Sequence, residues 1–209
     1  ARRLGIQIAG VANFNDGSRH DRLAERVARS GAQGVFIAGL GSVGGGRAVM
    51  ALRERLGSRI KIVAVDPYLP IAKVLAFVGP AAHGLYFSST DVPPRGQPPA
   101  GRRFARDIGT FDAPVFGVLP AGQTTELLLD AIARSDGTRA SVLEELREAK
   151  VEDGILGDFR IDRYGDITPA RLGIFRITGA TPPDAPVFPQ YEGAVFDRVI
   201  EVPANLARP

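Results

Sequence analysis

The sequence predicts an α/β protein built on a parallel sheet. The strongest sign is the stretch from Gly34 to Asp66. Val35–Ala38 is an apolar run of strand length, and Gly39–Gly46 is a glycine-rich turn. Arg47–Leu56 carries Ala48, Val49, Leu52 and Leu56 at helical spacing, and Ile62–Val65 is a second β-branched run. A helix joining two strands makes them parallel. The same strand–helix alternation precedes and follows this unit, with short connections. After Lys150 the pattern changes to short alternating pieces, which read as hairpins.

Taken in order, Leu4–Val11 is predicted as the first strand, followed by a turn over Asn13–Ser18. Ser18 and Asp21 make an N-cap pair for a helix over Arg19–Ser30. That helix should bury Leu23, Ala24, Val27 and Ala28, and Gly31 stops it. Pro70–Val78 is a further helix, closed by Gly79-Pro80, and Leu85–Ser88 is a strand. Strands are thus expected near 4–11, 34–38, 61–65 and 84–88, in a parallel sheet covered on both faces. Asp91–Pro99 is too rich in Pro and Gly for a regular element. Gly101–Ile108 reads as a helix burying Phe104 and Ile108. Ala121–Arg134 is a helix with Leu128, Ala131 and Ile132 on one face. Thr138 caps a helix over Arg139–Lys150 that buries Val142, Leu143 and Leu146. Gly157–Asp162 alternates with period two, Arg163–Asp166 turns, and Leu172–Ile177 returns as the second strand. Thr181–Pro189 is a loop and Val195–Val202 a last strand. The elements after Ala121 are expected to expose more apolar surface than a finished domain does.

Composition narrows the function. The 209 residues suffice for one good domain or two small ones, and the apolar share is an ordinary 44%. The absence of cysteine removes thiol catalysis, disulfides and thiolate metal sites, and suits an envelope or extracellular protein. The net charge of +3 comes from scattered arginines interleaved with acids, not from the basic stripe that nucleic acid needs. Ala-Arg-Arg-Leu is not followed by a signal-peptide core, and the missing initiator Met predicts a processed or cut chain.

Gly39-x-Gly41-x-x-Gly44 follows a strand and opens a helix, and Asp66 stands at the next strand end. This is close to a dinucleotide fingerprint: glycines for pyrophosphate approach, a helix N-terminus for its charge, an acid for the ribose. Against it, the fingerprint normally sits at the first βαβ unit, and here a strand and helix come before. Asp66 can equally cap the following helix, with Pro67 at its first position. His20 reads as a surface residue at a helix start and His83 as a loop residue, without metal-ligand spacing. Asp162 and Asp166 read as turn formers. No Ser sits in a nucleophile elbow, so the expectation is a protein that is not an enzyme and holds no metal or cofactor.

Three stretches carry a family resemblance. They are Gly79-Pro80-Ala81-Ala82-His83-Gly84-Leu85-Tyr86-Phe87-Ser88, then Leu127-Leu128-Leu129-Asp130-Ala131-Ile132, and then Asp153 to Asp162 with Gly165-Asp166. In this order and spacing the chain resembles the C-terminal half of type I periplasmic binding proteins of the branched-chain amino acid (Leu/Ile/Val) receptor family. The resemblance covers roughly residues 3–178. It implies two α/β lobes that close on a ligand. Residues 1–117 would be the second lobe, and 118–209 the crossover plus helices and hairpins completing a truncated first lobe. The implied function is an extracellular or periplasmic module binding a small, amino-acid-like molecule for an ABC transporter or sensor. The alternative is a dinucleotide-binding oxidoreductase domain. Implied partners are a small ligand, a permease or sensor domain, and the missing N-terminal lobe or a second copy of the chain. Leu40, Gly41 and Ser42 stand where amino-acid binders present an aromatic to the ligand. Asp66 aligns with the acid that holds the ligand's ammonium, and Tyr68 is its neighbour candidate. Leu119-Pro120-Ala121 stands where the family often has a Tyr.

Overall fold

The computed structural model describes residues 4–15, 17, 19–39, 44–65, 70–180 and 189–203. Its elements in chain order are α1 (His20–Ser30), β1 (Gly34–Ile37), α2 (Gly46–Leu56), β2 (Lys61–Val65), α3 (Ile71–Val78), β3 (Tyr86–Ser89), α4 (Pro99–Asp107), α5 (Val118–Arg134), α6 (Arg139–Arg147), β4 (Lys150–Val151), β5 (Phe159–Ile161), β6 (Ile167–Thr168), β7 (Ala170–Ile177) and β8 (Ala194–Val202). The chain divides into two compact units, 1–89 with 174–197, and 90–173 with 198–209.

In the first unit, β1, β2 and β3 are parallel, with Phe36 beside Val63 and Val63 beside Tyr86. The sheet order is β1-β2-β3-β7-β8. The stripe Ile37, Ala64, Phe87 is buried, in one cluster with Val49 and Leu52 of α2 and Val74 and Val78 of α3. Phe87 stacks on Phe175 at 5.0 Å between ring centroids, and Tyr191 meets both rings edge-on. The expectation of helices on both faces fails. Phe36 is 64% exposed and Val63 38%. Right-handed crossovers that step in one direction, β1 to β2 to β3, put their helices on one face of the sheet. The other face is left open at Phe36 and Val63.

The predicted first strand is not one. Residues 6–15 have no regular structure, and Leu4, Ile6, Ile8 and Val11 are exposed. A strand exists only through its neighbour's hydrogen bonds. Among the described residues β1 is paired with β2 alone, and Leu4–Val11 does not take its free edge.

Arg53 ties this unit together at the opposite end of α2. Its guanidinium donates to the carbonyls of Ile60 at 2.7 Å, Ala81 at 3.2 Å, Gly57 at 3.2 Å and His83 at 3.4 Å. It thereby occupies carbonyls at the end of α2 and in the connection to β3. Desolvation pulls its pKa below the usual guanidinium range.

The second unit packs α4 and α5 around Ala105, Leu119 and Ile155, with Phe104, Phe111 and Leu156 at the margin. The buried face of α4 is Gly101 and Ala105, whereas Ile108, expected inside, is 44% exposed. α6 begins as expected, with Thr138 Oγ1 accepting from the Ser141 amide at 3.2 Å. It ends at Arg147, and Lys150–Val151 pairs antiparallel with β5 instead of extending the helix. The hairpin partner of β5 is β6 and not Leu172–Ile177, which lies in β7 and joins the other sheet. Asp162 forms the turn, accepting the amides of Tyr164 and Asp166 at 2.9 and 3.0 Å. Leu128, Leu129, Ile132 and Leu143 are exposed, so the apolar faces of α5 and α6 are open and the expected burial of Leu143 does not hold.

Candidate functional site

The three parallel strands end together: Ile37 is level with Ala64, and Val65 with Ser88. In open α/β sheets this carboxyl edge is where ligands bind. The helices point to it as well. The carboxyl end of α1 stops at Gly31, in the left-handed conformation, just before β1 begins, so its N-terminus lies at the other end, beside the strand carboxyl ends. α2 and α3 follow β1 and β2 and start at the same edge. The N-cap positions of the three helices are Arg19, Gly45 and Pro70, and none supplies a side-chain cap. The first turns of α2 and α3 contain no acid. Helix N-termini carry partial positive charge and free amides, so the edge favours an anionic group.

Leu40, Gly41 and Ser42 follow β1 in the chain, and Asp66 and Tyr68 follow β2; all five lie outside the described residues. The N-cap of α3 is Pro70. What the structure does describe here are the flanks, Gly39 and Gly44–Gly46, with Gly44–Gly46 buried. The ring of Phe14 comes within 3.4 Å of where a Cβ on Gly39 would stand, so the chain after β1 runs against that ring.

His20 corrects the sequence reading. It is the first residue of α1 and is only 9% exposed. Its ring meets Phe14 edge-on, with centroids 6.2 Å apart. Its Nε2 is buried without a hydrogen-bond partner. Nothing in the local sequence announces this, because a His at a helix start looks like a solvent-facing residue. His83, expected in a loop, is exposed. Among the described residues no group of three or more His, Asp or Glu has metal-binding geometry, and no helix is long and apolar enough to cross a membrane.

In the second unit Asp91 is buried and accepts the Gly117 amide through both oxygens, at 3.2 and 3.1 Å. This places a carboxylate at the start of α5 and is a structural contact. Leu119 is buried in the core of the same unit. An open groove of about 450 Å³ lies over β4 and β5, lined by Lys150, Asp153, Asp158 and Arg160 among others. Its charges are mixed, and it holds none of the expected site residues.

No family model matches the sequence, and no curated protein matches it. Solved structures do match the fold. A leucine-binding protein from Thermotoga maritima superposes with a TM-score of 0.66 at 20% identity, covering 95% of this chain and 53% of its own. A solute-binding protein of an ABC transporter from R. palustris, in complex with 4-hydroxybenzoate, gives 0.62 at 14% identity, covering 96% and 53%. A fatty acid ABC transporter substrate-binding protein from Thermomonospora curvata gives 0.53 at 18%, covering 86% and 46%. The fold is therefore that of periplasmic binding proteins of type I, as the resemblance implied. The chain spans about half the length of these structures.

Proposed function

We propose that the chain is a small-molecule-binding module of a solute-binding protein serving an ABC transporter or sensor. It works outside the cytoplasm and is not an enzyme. The observation that carries this reading is the edge where three parallel strands end and three helices begin without a side-chain cap from their N-cap residues, in a fold shared with such proteins. The ligands named for the three compared structures are leucine, 4-hydroxybenzoate and a fatty acid. All three carry a carboxylate, the charge that helix N-termini favour. The ligand class proposed is thus a small carboxylate. Leu40, Gly41 and Ser42 line the site from β1, and Asp66 and Tyr68 from β2. Asp66 faces an ammonium where the ligand has one, as a charge-assisted hydrogen bond. Residues 1–117 form the second lobe and 118–209 the crossover and the end of the first. The cleft is completed by the rest of a first lobe or by a second copy of the chain, and closure shifts populations toward the closed state.

The dinucleotide reading needs Gly41 to approach a pyrophosphate and Asp66 a ribose; both residues lie outside the described residues, and the three compared structures do not support it.

The test is a titration of the uniformly labelled chain with leucine, 4-hydroxybenzoate, octanoate and NAD, followed by amide chemical shifts and thermal melting. Expected are saturable shifts at Gly39 and Gly44–Val49 with at least one carboxylate, in the millimolar range because one lobe is incomplete. NAD should leave the melting curve unchanged. Silence toward all the carboxylates, or an NAD-induced rise in Tm abolished by Gly41→Val, would overturn the proposal. A ligand with an amine should bind less well to Asp66→Ala.

A further inference from the structure

His20 carries the next step, which rests on the proposed carboxylate site. In an α-helix each Cα–Cβ bond tilts toward the N-terminus. The side chain of the first residue of α1 therefore leans toward that end of the helix. Side chains at such a place normally reach water, but His20 is 9% exposed. Its ring meets Phe14 edge-on, and the tip of the Phe14 ring also approaches Gly39. A buried polar nitrogen is nearly always hydrogen-bonded, because burying it unmatched costs stability. Nε2 of His20 has no partner.

The neighbourhood says which partner fits. Arg19, at the N-cap of α1, supplies no side-chain cap. α1 packs along α2, whose own N-terminus begins at the buried Gly46 after the same strand end. Among described residues the one acid in the first turn of these two helices is Asp21, and it is fully exposed. Its pKa is held below the usual carboxylate range mainly by the Arg22 amide. Two helix N-termini and an unmatched ring nitrogen thus share an edge with no buried carboxylate of their own described there. We propose that His20 is a ligand-binding residue whose Nε2–H donates to the carboxylate of the bound small molecule, with Phe14 holding the imidazole ring at that angle. The bond is charge-assisted and so among the stronger neutral-donor contacts a protein can make.

The chain has only two histidines, which makes the test clean. The protein is prepared with ¹⁵N-histidine, and the ring nitrogens of His20 and His83 are followed while leucine, 4-hydroxybenzoate and octanoate are added. Leucinol, 4-hydroxybenzyl alcohol and octanol serve as matched analogues without the carboxylate. The expected result is a saturable shift of the His20 Nε2 signal with a carboxylate and none with its alcohol, while His83 stays still. His20→Phe, which keeps a ring but loses the donor, should weaken binding about tenfold or more. His20→Gln, whose amide nitrogen can stand near Nε2, should recover much of it. If amide shifts elsewhere report carboxylate binding while His20 Nε2 does not move, the inference is wrong and the proposed function stands. If both histidines respond alike to every carboxylate, the effect is that of added salt and the inference is wrong. If no probe binds, both readings fall. Should His20→Phe not fold, the wild-type spectrum alone decides.

Discussion

Gly101→Ala sets two effects of known size against each other. Gly101 lies inside α4 and is buried. In a helix interior, Ala is favoured over Gly by about 1 kcal/mol, so the substitution should stabilise if the helix alone mattered. Tertiary packing opposes it. A Cβ at this position would stand 2.2 Å from the carbonyl oxygen of Ile155 and 3.0 Å from Cβ of Gln97. The first contact is backbone, which cannot swing aside. The loop carrying Ile155 is also held by Gln123, whose side-chain oxygen accepts the Leu156 amide at 3.1 Å. Relief needs a shift of roughly 1 Å in packed backbone, and overpacking of that kind costs about 1–3 kcal/mol, occasionally more. Subtracting the propensity gain leaves a net loss of about 0–2 kcal/mol, or a fall in Tm of up to roughly 8 °C for a chain this size. Urea denaturation followed by circular dichroism reads the change in midpoint. A variant more stable than wild type would refute the close approach of α4 to the 155 carbonyl, because propensity would then be the larger effect.

Two further outcomes follow from the structure. Arg53→Met keeps the apolar stem but removes the donors to four carbonyls, and should cost about 2 kcal/mol in the same urea assay; a change within 0.5 kcal/mol, the range of about ±0.5 usual for surface sites, would show those bonds to be replaced by water. Asp136 has its pKa lowered, first by the side-chain hydrogen bond with Thr138. A depressed folded-state value means the contribution is present above the unfolded value of 3.8 and is lost as pH falls through the folded one. Melting of wild type and Asp136→Asn between pH 2 and 6 should therefore differ above about pH 4 and converge below it; parallel curves across the whole range would contradict this.

Much of the fold was legible because local chemistry and tertiary structure agree there. Gly31 stops α1, Thr138 starts α6, and Asp162 closes the β5–β6 turn through hydrogen bonds within a few residues. The apolar runs predicted at Val35–Ala38 and Ile62–Val65 fall on strands Gly34–Ile37 and Lys61–Val65, because a helix connects them and their backbones meet in parallel register. The carboxyl edge as the working edge follows from that topology alone. The tertiary structure decided what depends on neighbours. Leu4–Val11 has the apolar content of a strand, yet it pairs with no strand among the described residues and stays irregular. Phe36 and Val63 have core-type side chains but face outward, since every described crossover steps the same way. Leu172–Ile177 left its expected hairpin because sheet partners are chosen across the fold, not along the chain. His20 shows the same limit at the site. Its position at a helix start is local, but its burial with the ring against Phe14 is tertiary, and spacing along the chain does not encode it.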